Sequence, residues 1–543
     1  MKRLFRGLRR APDPRYDVVV IGSGVGGLIT ANLLARDGAR VLLVEQHYMA
    51  GGYCSTFRRA GYTFDAATHF YPLLGNPETL TGRLLAELGV ETGWVKMDPV
   101  DTFHLPDGSH FAVPADLAVY LAKLHAEFPH ESAALDAFFA EVREAYLLGL
   151  LEYFRGRATE RLARYRGLSV REALDRRFAD RKLKLLLTAD CPHWGSPPER
   201  TSFVFDSMLR LSYFLGNYYP RGGSQAFADE LARCFEERGG HILMSTLARR
   251  IVIEGGEAGG GGPPGTARGV ELETLRGPVR FGGSVRCGAV VSNADLLATL
   301  EGMVGAEHLP PGCLEPLRRL RPTFPCWLTH IGLAGVEPEV LDQVQGYYWD
   351  GWDMDRVGRD SLRFKIFVPT LYEPAMAPPG GQVLIVQKVQ EMSYEAVTDW
   401  PAHKRQVEGF VFGHLARMIP GIERKVVVAT SASAQTSCRF TLNRQGAMLG
   451  WEMSPDQLGA GRPDLASPVR NLFFAGHWTR PGGGITPVIV SAQLAAQAVA
   501  KALDSSPRLV TPGPQRLVQH PELPAAGAGA AAAADVARRR AKA

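Results

Sequence analysis

Cysteine is sparse and unpatterned in this sequence. Seven (Cys54, Cys191, Cys234, Cys287, Cys313, Cys326 and Cys438) are scattered through 543 residues. The count is odd and no CxxC occurs, so neither a disulfide framework nor a zinc site is suggested. The fourteen histidines form no HxxxH or HExxH pair, and no metal is expected. No apolar run reaches the ~18 residues of a membrane-spanning helix. The basic start, MKRLFRGLRRAPDPR, has no apolar core and does not read as a secretory signal, so a cytoplasmic location is expected. The body lacks positive charge: residues 1–15 carry +5 and residues 536–543 carry +4 of a chain whose total is +5, which leaves the body at −4. Nucleic acid is therefore a poor partner for the body. The basic ends read either as solvated disorder or as segments drawn to an anionic membrane surface.

What is present is an ordinary globular composition, 45% hydrophobic and 22% charged, with length for roughly two to four domains. The chain is organised around Tyr16–Gln46. Val18-Val19-Val20-Ile21 reads as a strand buried on both faces. Gly22-Ser23-Gly24-Val25-Gly26-Gly27 then opens a helical pattern that closes at Gly38, and a second strand ends in Glu45. Gly22 permits the tight turn, Gly24 lets a pyrophosphate approach the backbone, and Gly27 lets the helix pack on the sheet. Free N–H groups at the helix start face the phosphates. Glu45 is spaced to accept from an adenosine ribose and disfavours a 2′-phosphate, so a dinucleotide other than NADP is expected.

Along the chain, Gly51-Gly52 permits a second close backbone approach. Residues 101–114 read as a hairpin around Asp107-Gly108. Helical spacing runs from Ala115 to about Tyr165, broken near Pro129, and continues through 169–188 and 199–215. Tyr219-Pro-Arg-Gly-Gly223 precedes a helix at 225–239. Short strands follow near 241–253, 268–275, 279–281 and 289–292. The glycine-rich 255–265 has no helix after it and reads as a loop, not a second phosphate site. Strand-like runs at 324–333, 363–368, 383–389 and 426–429 suggest a second sheet, with a helix at 402–418. At 471–503 strand, glycine turn and helix recur. Beyond Ser505 the chain reads as unstructured.

Taken together, these segments resemble the two-domain flavoprotein family that includes amine oxidases, phytoene desaturases, carotenoid isomerases and retinol saturases. The resemblance covers about 16–505. It rests on the glycine-to-Glu45 unit, Gly51-Gly52, Tyr219–Gly223, Val291-Ser-Asn-Ala-Asp295 and Phe474-Ala-Gly-His-Trp-Thr-Arg-Pro-Gly-Gly-Gly-Ile485. The Tyr-Pro-x-Gly-Gly and Ser-Asn-Ala-Asp segments are similar to the desaturase, isomerase and saturase branch, as is Thr68-His69-Phe70-Tyr71. The resemblance implies an α/β fold. A discontinuous Rossmann-like FAD-binding domain (16–75, 216–300 and 435–505) would carry an inserted α+β substrate domain (76–215 and 301–434), with a mixed sheet and a helical lid. Segments 1–15 and 506–543 would be disordered tails.

It also implies extended FAD. Gly22, Gly24 and Gly27 would line the pyrophosphate, Glu45 would take the adenosine ribose, and Gly51 and Gly52 would lie along the ribityl chain, with Ser23, Gly26 and Gln46 also among the cofactor-binding residues. Ala248 would meet the adenine through its backbone. Gly476 and the Ile485-Thr486 turn would close over the pyrophosphate and flavin, and Asn293 and His477 are further cofactor-binding candidates. His477 departs from the family, which commonly has an acid there. The activity implied is hydride transfer between a long apolar polyene and the flavin. A carotenoid desaturase is the first expectation, with an isomerase or a retinol-type saturase as alternatives. An amine-oxidase-like enzyme, which needs an aromatic cage and a lysine, and a flavin-free binding protein for prenylated GTPases are the further readings. His69 is the acid/base candidate, with Tyr71 and Arg221 weaker. Trp478 reads as packing. Such a substrate dissolves in bilayers, so peripheral membrane contact is expected.

Overall fold

Five parallel strands carry the dinucleotide motif, in the order Leu472–Phe474, Gly282–Ser292, Arg15–Ile21, Val41–Val44 and His241–Leu243. The computed structural model describes residues 11–157, 159–256, 264–276 and 280–503; residues 1–10, most of the loop at 255–265, residue 279 of the expected strand 279–281, and the tail 506–543 lie outside them. Val18, Val19 and Val20 are fully buried. Val18 and Val20 join one apolar cluster, Val19 and Ile21 another. Period-two alternation with both faces apolar explains why the run has no polar positions. Helices Val25–Arg36, Ser224–Glu237 and Ile485–Ala502 cover the first face. The last is the one described helix long and apolar enough to cross a membrane, and it packs into this core.

Gly282–Ser292 corrects the short strands expected at 279–281 and from Ala289, since the described residues 280 and 281 are not in a strand. It is one strand of 11 residues. Its first half pairs antiparallel with Thr266–Thr274, which pairs in turn with Thr246–Glu254, and its last residues pair parallel with Leu472–Phe474. Gly288 looks like a break in sequence. In space a Cβ there would fall 2.8 Å from Leu503 Cδ2, so its glycine answers a close contact and not a chain reversal.

A second sheet has the order Val426–Ala432, Cys326–Ala334, Gly381–Val389, Leu362–Phe367, Gly346–Trp349, Asp101–His104 and His110–Val113. Only Gly346–Trp349 with Asp101–His104 is parallel, so the sheet is mixed. The four expected strands are present, and the Asp107-Gly108 hairpin forms its edge. Ile331, Phe364, Ile366 and Val386 face helix Trp400–Met418 on one side. Leu328, Phe367 and Ile385 face the helical insertion on the other. That insertion centres on Ser132–Gly149 packed against Phe203–Phe214. Pro129 starts a 3-10 turn where helix Leu117–Glu127 ends, because proline removes a donor needed to continue it.

Asp65 links the first part to the second sheet through its carbonyl, which accepts from His330 Nε2 at 2.9 Å. It ends strand Tyr62–Asp65, accepts from Ser224 N at 2.9 Å and is hydrogen-bonded by the Tyr219 hydroxyl. The Tyr219–Gly223 motif is thus an anchoring turn into helix Ser224–Glu237.

Candidate functional site

Two helices point their N-termini at one cavity. Val25–Arg36 and Ile485–Ala502 begin after Gly24 and Gly484, and neither N-cap has a side-chain hydrogen bond. Both glycines line a cavity of about 850 Å³. Unfilled N–H groups and two aligned dipoles make that end an anion site.

Asn293 joins the first glycine turn to the last. Its Oδ1 accepts from Gly27 N at 2.9 Å and its Nδ2 donates to Ala475 O at 2.8 Å. Three glycines enclose the carboxamide: a Cβ on Gly24 or Gly26 would fall 2.9 or 2.8 Å from it, and one on Gly476 would overlap it. A Cβ on Gly27 would overlap Gly22 O, the close helix–strand approach read from the spacing. Asn293 therefore acts as a clasp between the first glycine turn and the last.

Glu45 ends its strand at the cavity and is 9% exposed. Ser23 N and Ser23 Oγ donate to its Oε2 at 2.8 and 2.7 Å, and His47 N donates to Oε1 at 2.7 Å. These donors hold the carboxylate in place, and Oε1 keeps one free lone pair toward the cavity. Gly22, Gln46, Gly51, Gly52, Ala248, His477, Ile485 and Thr486 also line the cavity. Gln46 Nε2 donates to Phe440 O, and Thr486 Oγ1 donates to Pro72 O. Ser23 and Gly27 lie behind the lining, as supports. Three glycines with no room for side chains, two open helix N-termini and a held carboxylate fit a dinucleotide with a pyrophosphate.

Past Gly52 the cavity continues between the second sheet and the helical insertion, where Tyr146, Leu150, Phe154, Met208 and Leu328 line it. His69 and His330 stand at the junction. His69 Nδ1 donates to Ala67 O at 3.0 Å, and His330 Nε2 donates to Asp65 O at 2.9 Å. Their other ring nitrogens, His69 Nε2 and His330 Nδ1, are buried acceptors with no protein partner. Burial and the Lys365 charge lower His69 to about 3, and burial lowers His330 to about 4. His69 lies on the cavity as expected, but as a neutral acceptor and not as a histidine titrating near 6.5.

His477 is likewise lowered to about 3, by burial and by Arg462. Arg462 is buried beneath this turn and donates to the backbone carbonyls of His477 and Thr479 at 2.6 and 3.2 Å. Tyr71 is fully buried in the core and does not line the cavity. Arg221 donates to Tyr372 O at 3.0 Å, away from the cavity. Trp478 packs on Trp451 with ring centroids 4.7 Å apart. His193, Tyr213 and His330 line the cavity and are absent from the sequence reading. Single His and Tyr residues without motif spacing carry no signal that could have marked them.

The family model described as flavin containing amine oxidoreductase matches residues 25–500. The chain is 27% identical to all-trans-retinol 13,14-reductase of Homo sapiens, over 85% of this chain and 82% of that protein. It is 26% identical to the zeta-carotene-forming phytoene desaturase of Myxococcus xanthus, over 92% and 97%. It is 24% identical to the chloroplastic prolycopene isomerase of Daucus carota, over 91% and 81%. Among solved structures it resembles cyclohexylamine oxidase from Brevibacterium oxydans IH-35A in fold, with TM-score 0.60, 18% identity, and 90% and 100% coverage.

Proposed function

The chain belongs to the flavin-containing amine oxidoreductase family and is an FAD-dependent oxidoreductase, and we propose that it desaturates a long apolar polyene of the carotenoid class. The observation that carries this reading is the apolar chamber opening directly from the FAD cleft. FAD supplies the two-electron chemistry; the protein binds it, excludes water and handles the proton. Relatives named as desaturase, isomerase and reductase support a flavin-dependent polyene oxidoreductase.

Saturation or isomerisation by reduced FAD is the second reading, favoured by the polar wall at His193 and Tyr213, which can give a proton as readily as take one. An amine oxidase is disfavoured, because no lysine is among the described residues lining the cavity. The proposal takes 16–75, 216–300 and 435–505 as the FAD-binding part, and 76–215 and 301–434 as the substrate-binding part. It also includes peripheral contact with a bilayer, supported by exposed Leu151 between cavity-lining Leu150 and Phe154.

The test is anaerobic mixing of the purified holoprotein with phytoene or all-trans-retinol in liposomes, followed by absorbance. Bleaching of oxidised flavin by phytoene is expected. Conversion by pre-reduced enzyme alone would replace the desaturase reading with isomerase or saturase, separated by product mass. Equal turnover with and without liposomes would sink the membrane contact.

A further inference from the structure

The cavity wall beside His69 is polar where an apolar chamber has no need of polarity. His193 lines it, with Nδ1 2.9 Å from the Tyr213 hydroxyl and Nε2 2.7 Å from the Tyr347 hydroxyl. Burial and the Lys365 charge keep this imidazole neutral. A neutral ring has one N–H, so it donates to one tyrosine and accepts from the other, and a tautomer change reverses the direction.

Tyr213 borders the main cavity on one side and a second void of about 30 Å³ on the other. Asp101, Asp190, Arg210 and Tyr120 also wall that void. Phe70, Val100, Phe103 and Phe214 make most of its wall apolar, but the void is large enough for a water, and the polar side chains there, with Tyr213 and His193, bring polar groups to it. Two of the charges there are already engaged: Lys365 Nζ donates to Asp101 at 2.5 Å, and Arg210 donates to Asp206 at 3.0 Å. Asp190 lines the same void as Asp101 and Arg210. Burial raises it, Arg210 lowers it, and Asp206 and Asp101 raise it, to about 7.

We infer that Tyr213 and His193 conduct a proton between the main cavity and a water in the small void, with Asp190 as the carboxyl that supplies or takes up that proton. This rests on the proposed polyene reaction. Saturating a C=C bond takes one hydride, which carries both electrons and is FAD's part, and one proton, which is the chain's. The Asp190 O–H bond breaks, the void water relays the proton to the Tyr213–His193 pair, and the Tyr213 O–H bond passes a proton to the second carbon. Desaturation runs the same path backward and leaves Asp190 protonated. Burial raises the Tyr213 hydroxyl well above 10. No free tyrosinate is held, and a proton leaves only as another arrives.

Infrared titration of the holoenzyme and pH–rate profiles with phytoene and all-trans-retinol test this. A protonated-carboxyl band that titrates near neutral pH is expected. It disappears in Asp190→Asn, persists in Asp190→Glu, and shifts its midpoint in Tyr213→Phe. Asp190→Asn and Tyr213→Phe slow turnover about 100-fold, the usual scale of a lost acid–base group, and Asp190→Asn flattens the profile around pH 7. Asp190→Glu restores both. Variants within threefold of the parent with an unchanged profile would overturn the relay. If neither probe is converted, the functional reading fails. The infrared arm needs no substrate and still decides the relay: a missing band, or one that Tyr213→Phe leaves unmoved, would overturn it.

Discussion

Replacing Asn293 with Asp isolates the clasp between the two glycine turns. The substitution keeps the shape and keeps the acceptor for Gly27 N, which lies 2.9 Å away. It removes the donor to Ala475 O and places an anionic oxygen against that carbonyl at 2.8 Å. A buried polar group left without its partner costs about 1–3 kcal/mol. We assign this cost to FAD binding, because Gly24, Gly26 and Gly476, the glycines around the Asn293 carboxamide, line the cofactor cavity. At 1.4 kcal/mol per decade, FAD affinity falls about 5- to 150-fold at pH 8. The loss reverses in acid: a protonated carboxyl again has a donor for Ala475 O and an acceptor for Gly27 N. The facing carbonyl and the FAD pyrophosphate raise the pKa of the introduced group, so recovery begins above the ordinary range of ~4. Titration of the apoprotein with FAD at pH 5 and pH 8, followed by flavin fluorescence, measures this. An affinity within twofold of the parent at both pH values, or a loss that does not depend on pH, would refute the clasp.

Lys365 and Asp101 are 1% and 8% exposed and paired. Lys365→Met leaves Asp101 as an unpaired buried charge and costs about 3–5 kcal/mol in denaturant unfolding. Adding Asp101→Leu recovers most of it, and additive losses would contradict the pairing. Asp190, raised to about 7, binds a proton in the folded protein that the unfolded chain releases near pH 4. Stability therefore falls as pH rises from about 4 to 7, and that component is absent in Asp190→Asn when melting temperatures are compared at pH 5 and pH 8. Gly409 is exposed in helix Trp400–Met418, and a Cβ there would meet nothing within 4 Å. Gly409→Ala should raise stability by about 0.4–1 kcal/mol in denaturant unfolding, by restricting the unfolded chain.

The motif end of the site was legible because its chemistry is local. Gly22, Gly24, Gly27 and Glu45 are tied to one another by a strand, a turn and a helix, and their spacing is itself the geometry. The second sheet was legible in its strands through β-branched runs, but not in its order, since pairing partners lie far apart in the chain. The extent of strand Gly282–Ser292 was not legible, because a glycine such as Gly288 does not say in sequence whether it bends the chain or admits a neighbour.

The sequence by itself determined that the chain holds a dinucleotide, and it marked His69 and Asn293 as candidates, both of which line the cavity. Only the tertiary structure decided what they are. Asn293 became a clasp because Ala475, 182 residues away, came to lie opposite it. His69 became a neutral acceptor because burial and Lys365 removed its proton. His193, Tyr213 and Asp190 gained meaning from a void between helices and sheet that no stretch of sequence contains. Charge and hydrogen-bonding state depend on what surrounds a group in space, and for these residues part of the surroundings comes from segments remote in the chain, such as Lys365, Tyr347 and Ala475.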